Sequence, residues 1–285
     1  MTAETTHISE QSRLGIVAGG GGLPIALVNS CVAHDRPFMI LALEGFTDSE
    51  LVEGHPHQWV RLGEVGKAFD ILHKEKVTEL VMAGHMRRPS LKELRPDMRG
   101  LKFFAKIGTA ALGDDGLLRA VAAEMEEEGF KLVGAHEVCQ DLLIQKGPAG
   151  KRKPGKKNWN DIEHGWHISG ELGRMDVGQS AVVQEGLVLG LEAIEGTDAL
   201  IQRCAALKRD GVGPVLIKRC KPDQEKRADL PTIGLRTVQN AIDSGLSGIA
   251  VEAGRTLFLE REEAIEAANK AGLFILGVTA EDILS

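Results

Sequence analysis

The chain reads as a two-domain α/β protein, and three observations predict this. Short apolar runs alternate with helical spacing along the whole chain, which is the signature of parallel strands joined by crossover helices. The 285 residues exceed one ordinary domain and suit two. Hydrophobic residues make up 43% and charged residues 26%, with 34 Gly, a globular composition rich in tight strand–helix turns. The first half therefore reads as a Rossmann-like parallel-sheet domain and the second as a distinct α/β domain.

The elements follow in order. Residues 1–12 are polar and read as a disordered leader without the apolar core of a signal peptide. Leu14-Gly15-Ile16-Val17-Ala18 reads as a buried strand, Gly19 to Gly22 as a turn, and Leu23-Pro24 as a helix start, where proline's missing N–H does no harm. Strands are expected at Phe38–Leu43, Gln58–Leu62 and Glu79–Ala83. Val65, Ala68, Phe69 and Leu72 keep helical i, i+3, i+4, i+7 spacing. An amphipathic helix is expected over Leu117–Met125. The Rossmann-like domain thus spans 13–134. A connecting basic segment, 135–160, follows; Gln145–Asn160 holds Gly147-Pro148, Pro154-Gly155 and six Lys or Arg, and reads as a loop. The C-terminal α/β domain, 161–285, carries strands at Leu187–Leu189, Pro214–Ile217, Ile249–Val251 and Leu273–Leu276. Helices are expected over Asp198–Leu207, capped by Thr197, and over Glu260–Ala271.

Several function classes are disfavoured. A net charge of −7 and a pI near 5.8 argue against wholesale nucleic-acid binding. Cys31, Cys139, Cys204 and Cys220 form no C-x-x-C pair, so they read as reduced thiols in a cytoplasmic protein. No apolar run reaches membrane-spanning length. Neither a nucleophile elbow nor H-E-x-x-H is present.

What remains points to phosphate. A strand feeding Gly19-Gly20-Gly21-Gly22-Leu23-Pro24 and then a helix exposes backbone N–H groups at the positive end of a helix dipole; Gly20, Gly21, Gly22 and Leu23 are the candidate contacts. The dinucleotide spacing G-x-G-x-x-G is not met, and no Lys makes it a Walker loop. Arg87 and Arg88 follow a strand end, where open α/β sheets bind ligands. Gly113-Asp114-Asp115-Gly116 precedes a helix containing Arg119; its acids suit either a helix cap or Mg²⁺ beside phosphate. In the second half, Glu192, Glu195 and Asp198 crowd between a strand and a helix with Thr197. Lys218 to Gly234 then interleaves cations and acids across a loop with two prolines. Lys218, Lys221, Gln224, Arg227 and Thr232, with Glu195, Thr197, Asp115 and Arg119, are candidates for binding the substrate and its diphosphate, and the loop carboxylates for holding metal or orienting water. A salt-bridged surface loop is the plainer alternative.

Taken together, Ala18 to Pro24, Arg88-Pro89-Ser90, Gly113-Asp114-Asp115, Glu192-Ala193-Ile194-Glu195-Gly196-Thr197-Asp198-Ala199, and Lys221-Pro222 through Gly234 resemble the LpxI family of UDP-2,3-diacylglucosamine pyrophosphatases. The resemblance covers all but the leader. It implies a Mg²⁺-dependent, homodimeric enzyme of lipid A biosynthesis that splits UDP-2,3-diacylglucosamine into UMP and 2,3-diacylglucosamine 1-phosphate (lipid X). It also implies a cytoplasmic protein in peripheral contact with the inner membrane. The family pattern carries Asp after the Gln of the Lys-Pro loop; Glu225 stands there in this chain. The catalytic carboxylate is accordingly sought among Glu225, Asp229 and Asp223, and the metal ligands among Glu225, Asp229 and Asp198. The expected reaction is attack of water on a diphosphate phosphorus. A sugar nucleotidyltransferase and a non-catalytic UDP-sugar-binding module are the alternatives. Against the first, Leu23-Pro24 replaces the usual Gly-Thr-Arg continuation.

Overall fold

A computed structural model describes residues 12–86, 94–107, 114–222, 227 and 229–284, with the side chains of residues 107, 114 and 115 outside that set. The chain divides into two compact units, Met1–Cys139 and Gln140–Ser285.

The first unit is built on a five-stranded, wholly parallel sheet in the order β3-β2-β1-β4-β5. Its strands are β1 (Arg13–Ala18), β2 (Phe38–Leu43), β3 (His57–Val60), β4 (Val77–Ala83) and β5 (Lys131–Leu132). The sequences of β1, β2 and β4 are nearly continuous apolar runs, as strands covered on both faces must be; Leu14, Ile16, Ile40, Leu80 and Val81 are fully buried. Helices α1 (Gly22–Ala33), α2 (Val65–Lys74), α3 (Met98–Ile107) and α4 (Asp114–Glu127) accompany the sheet. Helix α1 begins after Gly21, whose φ of 91° suits a residue without a Cβ.

Glu79 ties this sheet together at the amino end of β4. It accepts from Lys131 of β5 at 2.8 Å, Arg36 at 2.6 Å and Ser12 at 2.9 Å. The Lys131 hydrogen bond, opposed by partial burial, lowers its carboxyl below the ordinary value. A carboxylate so depressed contributes stability that is present above its unfolded pKa of about 4.3 and lost as pH falls through the folded value. Glu79→Gln is expected to cost about 1 kcal/mol at pH 7. In urea titrations its gap from the parent should narrow as pH falls below the unfolded value of about 4.3; a gap that does not narrow on acidification would contradict the ionic origin.

The second unit holds a six-stranded mixed sheet in the order β6-β13-β11-β9-β7-β8. Strands β9 (Val215–Lys218), β11 (Gly248–Glu252) and β13 (Phe274–Val278) are parallel. Strand β7 (Ser180–Gln184) runs antiparallel to β9, its hairpin partner β8 (Leu187–Leu191) runs antiparallel to β7 on the outer side, and β6 (Gly147–Pro148) runs antiparallel to β13. Strands β10 (Thr232–Ile233) and β12 (Leu257–Phe258) form a separate parallel pair. One sheet face buries Val182, Leu216, Ile249 and Ile275 with apolar residues of α6 (Gly196–Cys204), α7 (Leu235–Asp243) and α8 (Arg261–Ala271). The other buries Ala181, Ile217 and Phe274 with Ile162 and Trp166 of α5 (Lys156–Arg174). Asp161 of α5, fully buried, accepts the Glu185 and Gly186 N–H groups at 3.0 and 2.7 Å. Those residues form the two-residue hairpin turn with φ of 49° and 79°, the left-handed pair such turns need.

Three expectations need correcting. Residues 145–160 are not a loop throughout: Gly147–Pro148 pairs with β13, and α5 starts at Lys156. Asn158 Oδ1 accepts the Gly155 N–H at 2.9 Å, which satisfies one of the donors a helix start leaves open. Thr197 is not a cap but sits inside α6, because its hydroxyl goes to Glu192 instead. That helix ends at Cys204, and Ala205–Leu207 tightens into a 3₁₀ turn. Among the described residues no helix is long and apolar enough to cross a membrane.

Candidate active site in the second unit

The carboxyl ends of β9, β11 and β13 lie on one edge of the second sheet, the edge at which open α/β sheets take ligands. Register fixes what stands there. Ser180 opens β7 directly opposite Lys218, the last residue of β9, and the Glu192 N–H donates to the Ser180 carbonyl at 2.9 Å. A polar row of Glu192, Ser180 and Lys218 thus crosses the sheet edge. All three residues are buried.

Thr197, in the first turn of α6, bridges the ends of this row. Lys218 Nζ donates to Thr197 Oγ1 and to the Thr232 carbonyl, both at 3.0 Å. The Thr197 hydroxyl donates to Glu192 Oε1 at 3.1 Å. Glu192 Oε2 and Ser180 Oγ have no hydrogen-bond partner among the described residues. The Lys218 ammonium is therefore buried, held on two sides, and balanced through a hydroxyl by a carboxylate. Burial of so flexible a cation is uncommon without such partners.

The loop that follows is anchored firmly. The Arg219 guanidinium lies 4.0 Å from the centroid of the Trp166 ring and donates Nη1 to the Trp166 carbonyl at 2.8 Å. A Cβ at Gly170 would stand 2.5 Å from that Nη1, so a glycine there gives the cation its room. Burial pulls the Arg219 pKa below its ordinary value, with Glu252 opposing. Glu252 accepts the Cys220 N–H and Arg255 Nη1, each at 3.1 Å. Lys221 Nζ pairs with Asp176 at 2.6 Å.

The structure unites Lys218, Thr197 and Thr232 of the residues expected from sequence. Thr232's own hydroxyl turns to the Leu230 carbonyl at 3.1 Å. Asp198 pairs with the exposed Arg236 at 2.8 Å. Glu195 pairs with Arg203 at 2.9 Å; its own backbone N–H first, then Arg203, hold its carboxyl below the ordinary range. Arg227 and Asp229 are half-buried in the loop. Asp223, Gln224 and Glu225 lie outside the described residues, as do Arg87, Arg88 and the Asp115 side chain. Arg119 is exposed on α4. Glu192 and Ser180 were not singled out as members of this row. Glu192 stood within an acid-rich stretch, but only strand register shows it meeting Lys218.

The glycine turn of the first unit is partly spent on packing. Gly19 donates to the Ala83 carbonyl at 2.7 Å, and Gly20 exchanges hydrogen bonds with His85 at 3.1 and 3.0 Å. The N–H groups of Gly19 and Gly20 are thus committed. An anion at this turn would meet the N–H groups that follow, at the start of α1.

Family models describing the LpxI N-terminal domain and the LpxI C-terminal domain match residues 13–142 and 145–276. A curated relative, the UDP-2,3-diacylglucosamine pyrophosphatase LpxI of Caulobacter vibrioides, is 44% identical over 277 residues, covering 95% of this chain and 99% of its own. A solved structure of the CobK precorrin-6A reductase aligns with 94% of this chain and 89% of its own at a TM-score of 0.32 and 12% identity. With both halves matched in order and a relative of that identity along nearly the full length, the chain belongs to the LpxI family.

Proposed function

We propose that this protein hydrolyses the diphosphate of UDP-2,3-diacylglucosamine, with Mg²⁺, to UMP and 2,3-diacylglucosamine 1-phosphate in lipid A biosynthesis. The observation that carries the reading is the 44% identity to a pyrophosphatase of that substrate, which runs through both units. In the reaction one water adds across the P–O–P anhydride. Its oxygen ends on one phosphorus, and the bridging oxygen leaves with the other.

The second unit supplies groups suited to this. Lys218 has two of its three N–H groups fixed by Thr197 and Thr232, and the third is available to a phosphate oxygen. Its buried charge counters the negative charge that gathers on the departing phosphate, an effect strengthened by exclusion of water. Arg227, from the half-buried loop, adds to that field.

Among the described residues no three His, Cys, Asp or Glu come together as a ready-made metal cage. The half-buried Asp229 offers a hard oxygen donor, and Mg²⁺ takes one or two such carboxylates and completes its shell with water and substrate phosphate. Asp229 and Asp198, with Glu225 of the same loop, are the carboxylates that would hold it. When bound, Mg²⁺ neutralises diphosphate charge and polarises the phosphorus–oxygen bonds.

Purified protein incubated with UDP-2,3-diacylglucosamine and Mg²⁺ is expected to release UMP, and excess EDTA to slow release at least about tenfold. Folded protein that releases no UMP with Mg²⁺ present overturns the reading.

A further inference from the structure

We infer that Glu192 and Thr197 form a positioning relay for Lys218, so that Thr197 serves the reaction through the lysine rather than by touching substrate; this rests on the proposed hydrolysis. The argument begins with proton direction. A lysine ammonium donates and cannot accept. The 3.0 Å contact therefore makes Thr197 Oγ1 the acceptor from Lys218. A threonine hydroxyl owns a single hydrogen, and the 3.1 Å contact spends it on Glu192 Oε1. The chain Lys218 to Thr197 to Glu192 has one consistent polarity, from cation to carboxylate.

The second argument is burial. Lys218 and Glu192 are each 7% exposed, so neither charge is screened by bulk water. Two buried opposite charges joined through one hydroxyl hold a fixed geometry, because any swing of the lysine breaks a hydrogen bond that water cannot replace. The third argument is register. Ser180 faces Lys218 across β7 and β9, and the Ser180 carbonyl holds the Glu192 N–H. The relay thus stands on strand ends, and its reach is set by the sheet rather than by a loop. The Thr232 carbonyl fixes a second side of the ammonium, leaving one N–H direction for a phosphate oxygen.

The test is a double-substitution cycle. Thr197→Val keeps the shape and removes the hydroxyl. It is expected to lower kcat/KM about 10- to 100-fold, as loss of alignment of a phosphate-binding cation does. Thr197→Ser restores the hydroxyl and is expected to recover kcat/KM to within about threefold. In a Lys218→Met background, Thr197→Val should cost less than about threefold more, because its target is gone. Independent, multiplying losses, or a Thr197→Ser variant as impaired as Thr197→Val, overturn the relay. Calorimetric binding of UDP to the parent, Thr197→Val, Lys218→Met and the double variant separates this inference from the functional one. Should the parent bind UDP without hydrolysing the lipid substrate, non-additive affinity losses keep the relay while the proposed reaction falls. Additive losses, or a parent that neither hydrolyses nor binds UDP, overturn it.

Discussion

Lys218→Met is expected to lower kcat/KM for UMP release about 10²- to 10³-fold, the range seen when one preorganised charge or donor is removed from a water-excluded site. Methionine preserves the length and bulk of the side chain, so the loss is one of charge and hydrogen bonding. The same substitution leaves Glu192, 7% exposed, without its balancing cation. Breaking a buried pair by removing one partner costs about 3–5 kcal/mol, and here the intervening Thr197 hydroxyl places the charges further apart, toward the lower end. The kinetic comparison therefore belongs at a temperature where circular dichroism shows both proteins folded. Lys218→Arg keeps the charge but not the compact ammonium geometry, and its rate should fall between the two. A Lys218→Met protein with parental kcat/KM would remove the lysine from the chemistry.

Gly84→Ala is expected to cost about 3 kcal/mol of stability. Gly84 holds φ at 94°, and a side chain there costs about 1–3 kcal/mol. Its Cβ would stand 2.6 Å from the Gly20 carbonyl oxygen and 2.8 Å from the Gly19 carbonyl carbon. Those are backbone atoms, with no rotamer through which to retreat. The only relief is to separate the Gly19–Gly20 turn from Gly84-His85, which breaks the bridge between Gly20 and His85. Equilibrium denaturation should show the loss. Hydrogen exchange should speed at the amides of Gly20 and His85 before it does in β2. An unchanged midpoint would mean that the turn shifts as a body at little cost.

The architecture of the first unit was legible because its strands obey simple rules. Phe38–Leu43 is both the expected and the observed strand β2, since a buried parallel strand reads as an uninterrupted apolar run. Helix α5 was hidden for an equally physical reason. Its inward positions include Gly165, Gly170 and Gly173 beside Ile162 and Trp166, and a helix that packs closely through glycines loses its apolar stripe. The preceding Gly-Pro and Pro-Gly pairs and the lysines then dominate the pattern. Strand β7 was missed because its boundaries carry Gly178 and a charged turn rather than a clear alternation.

The site divided in the same manner. Lys218 and Thr197 were recognisable as charge and hydroxyl beside strand ends. Their connection to Glu192 was not, because it depends on β7 pairing with both β8 and β9, a relation between distant stretches of chain. Similarly, the glycine run Gly19–Gly22 is conspicuous in sequence, but its packing against Gly84 and His85 is a contact across more than 60 residues that spacing cannot display.

The strand order of the two sheets also governs when each can close during synthesis. Every strand of the first sheet lies between Arg13 and Leu132, so that sheet is complete in sequence while the remainder of the chain is still being made. The second sheet has no such early closure. Its β6, Gly147–Pro148, pairs among the described residues with β13, Phe274–Val278, more than 120 residues further along, and must wait until those residues have left the ribosome. Until then the edge of β11 that β13 will occupy is open, in a chain whose long-range pairings make it slow to form. The unit that carries the buried lysine is thus the one that spends longest unfinished, and the nascent chain is most exposed to misassociation there.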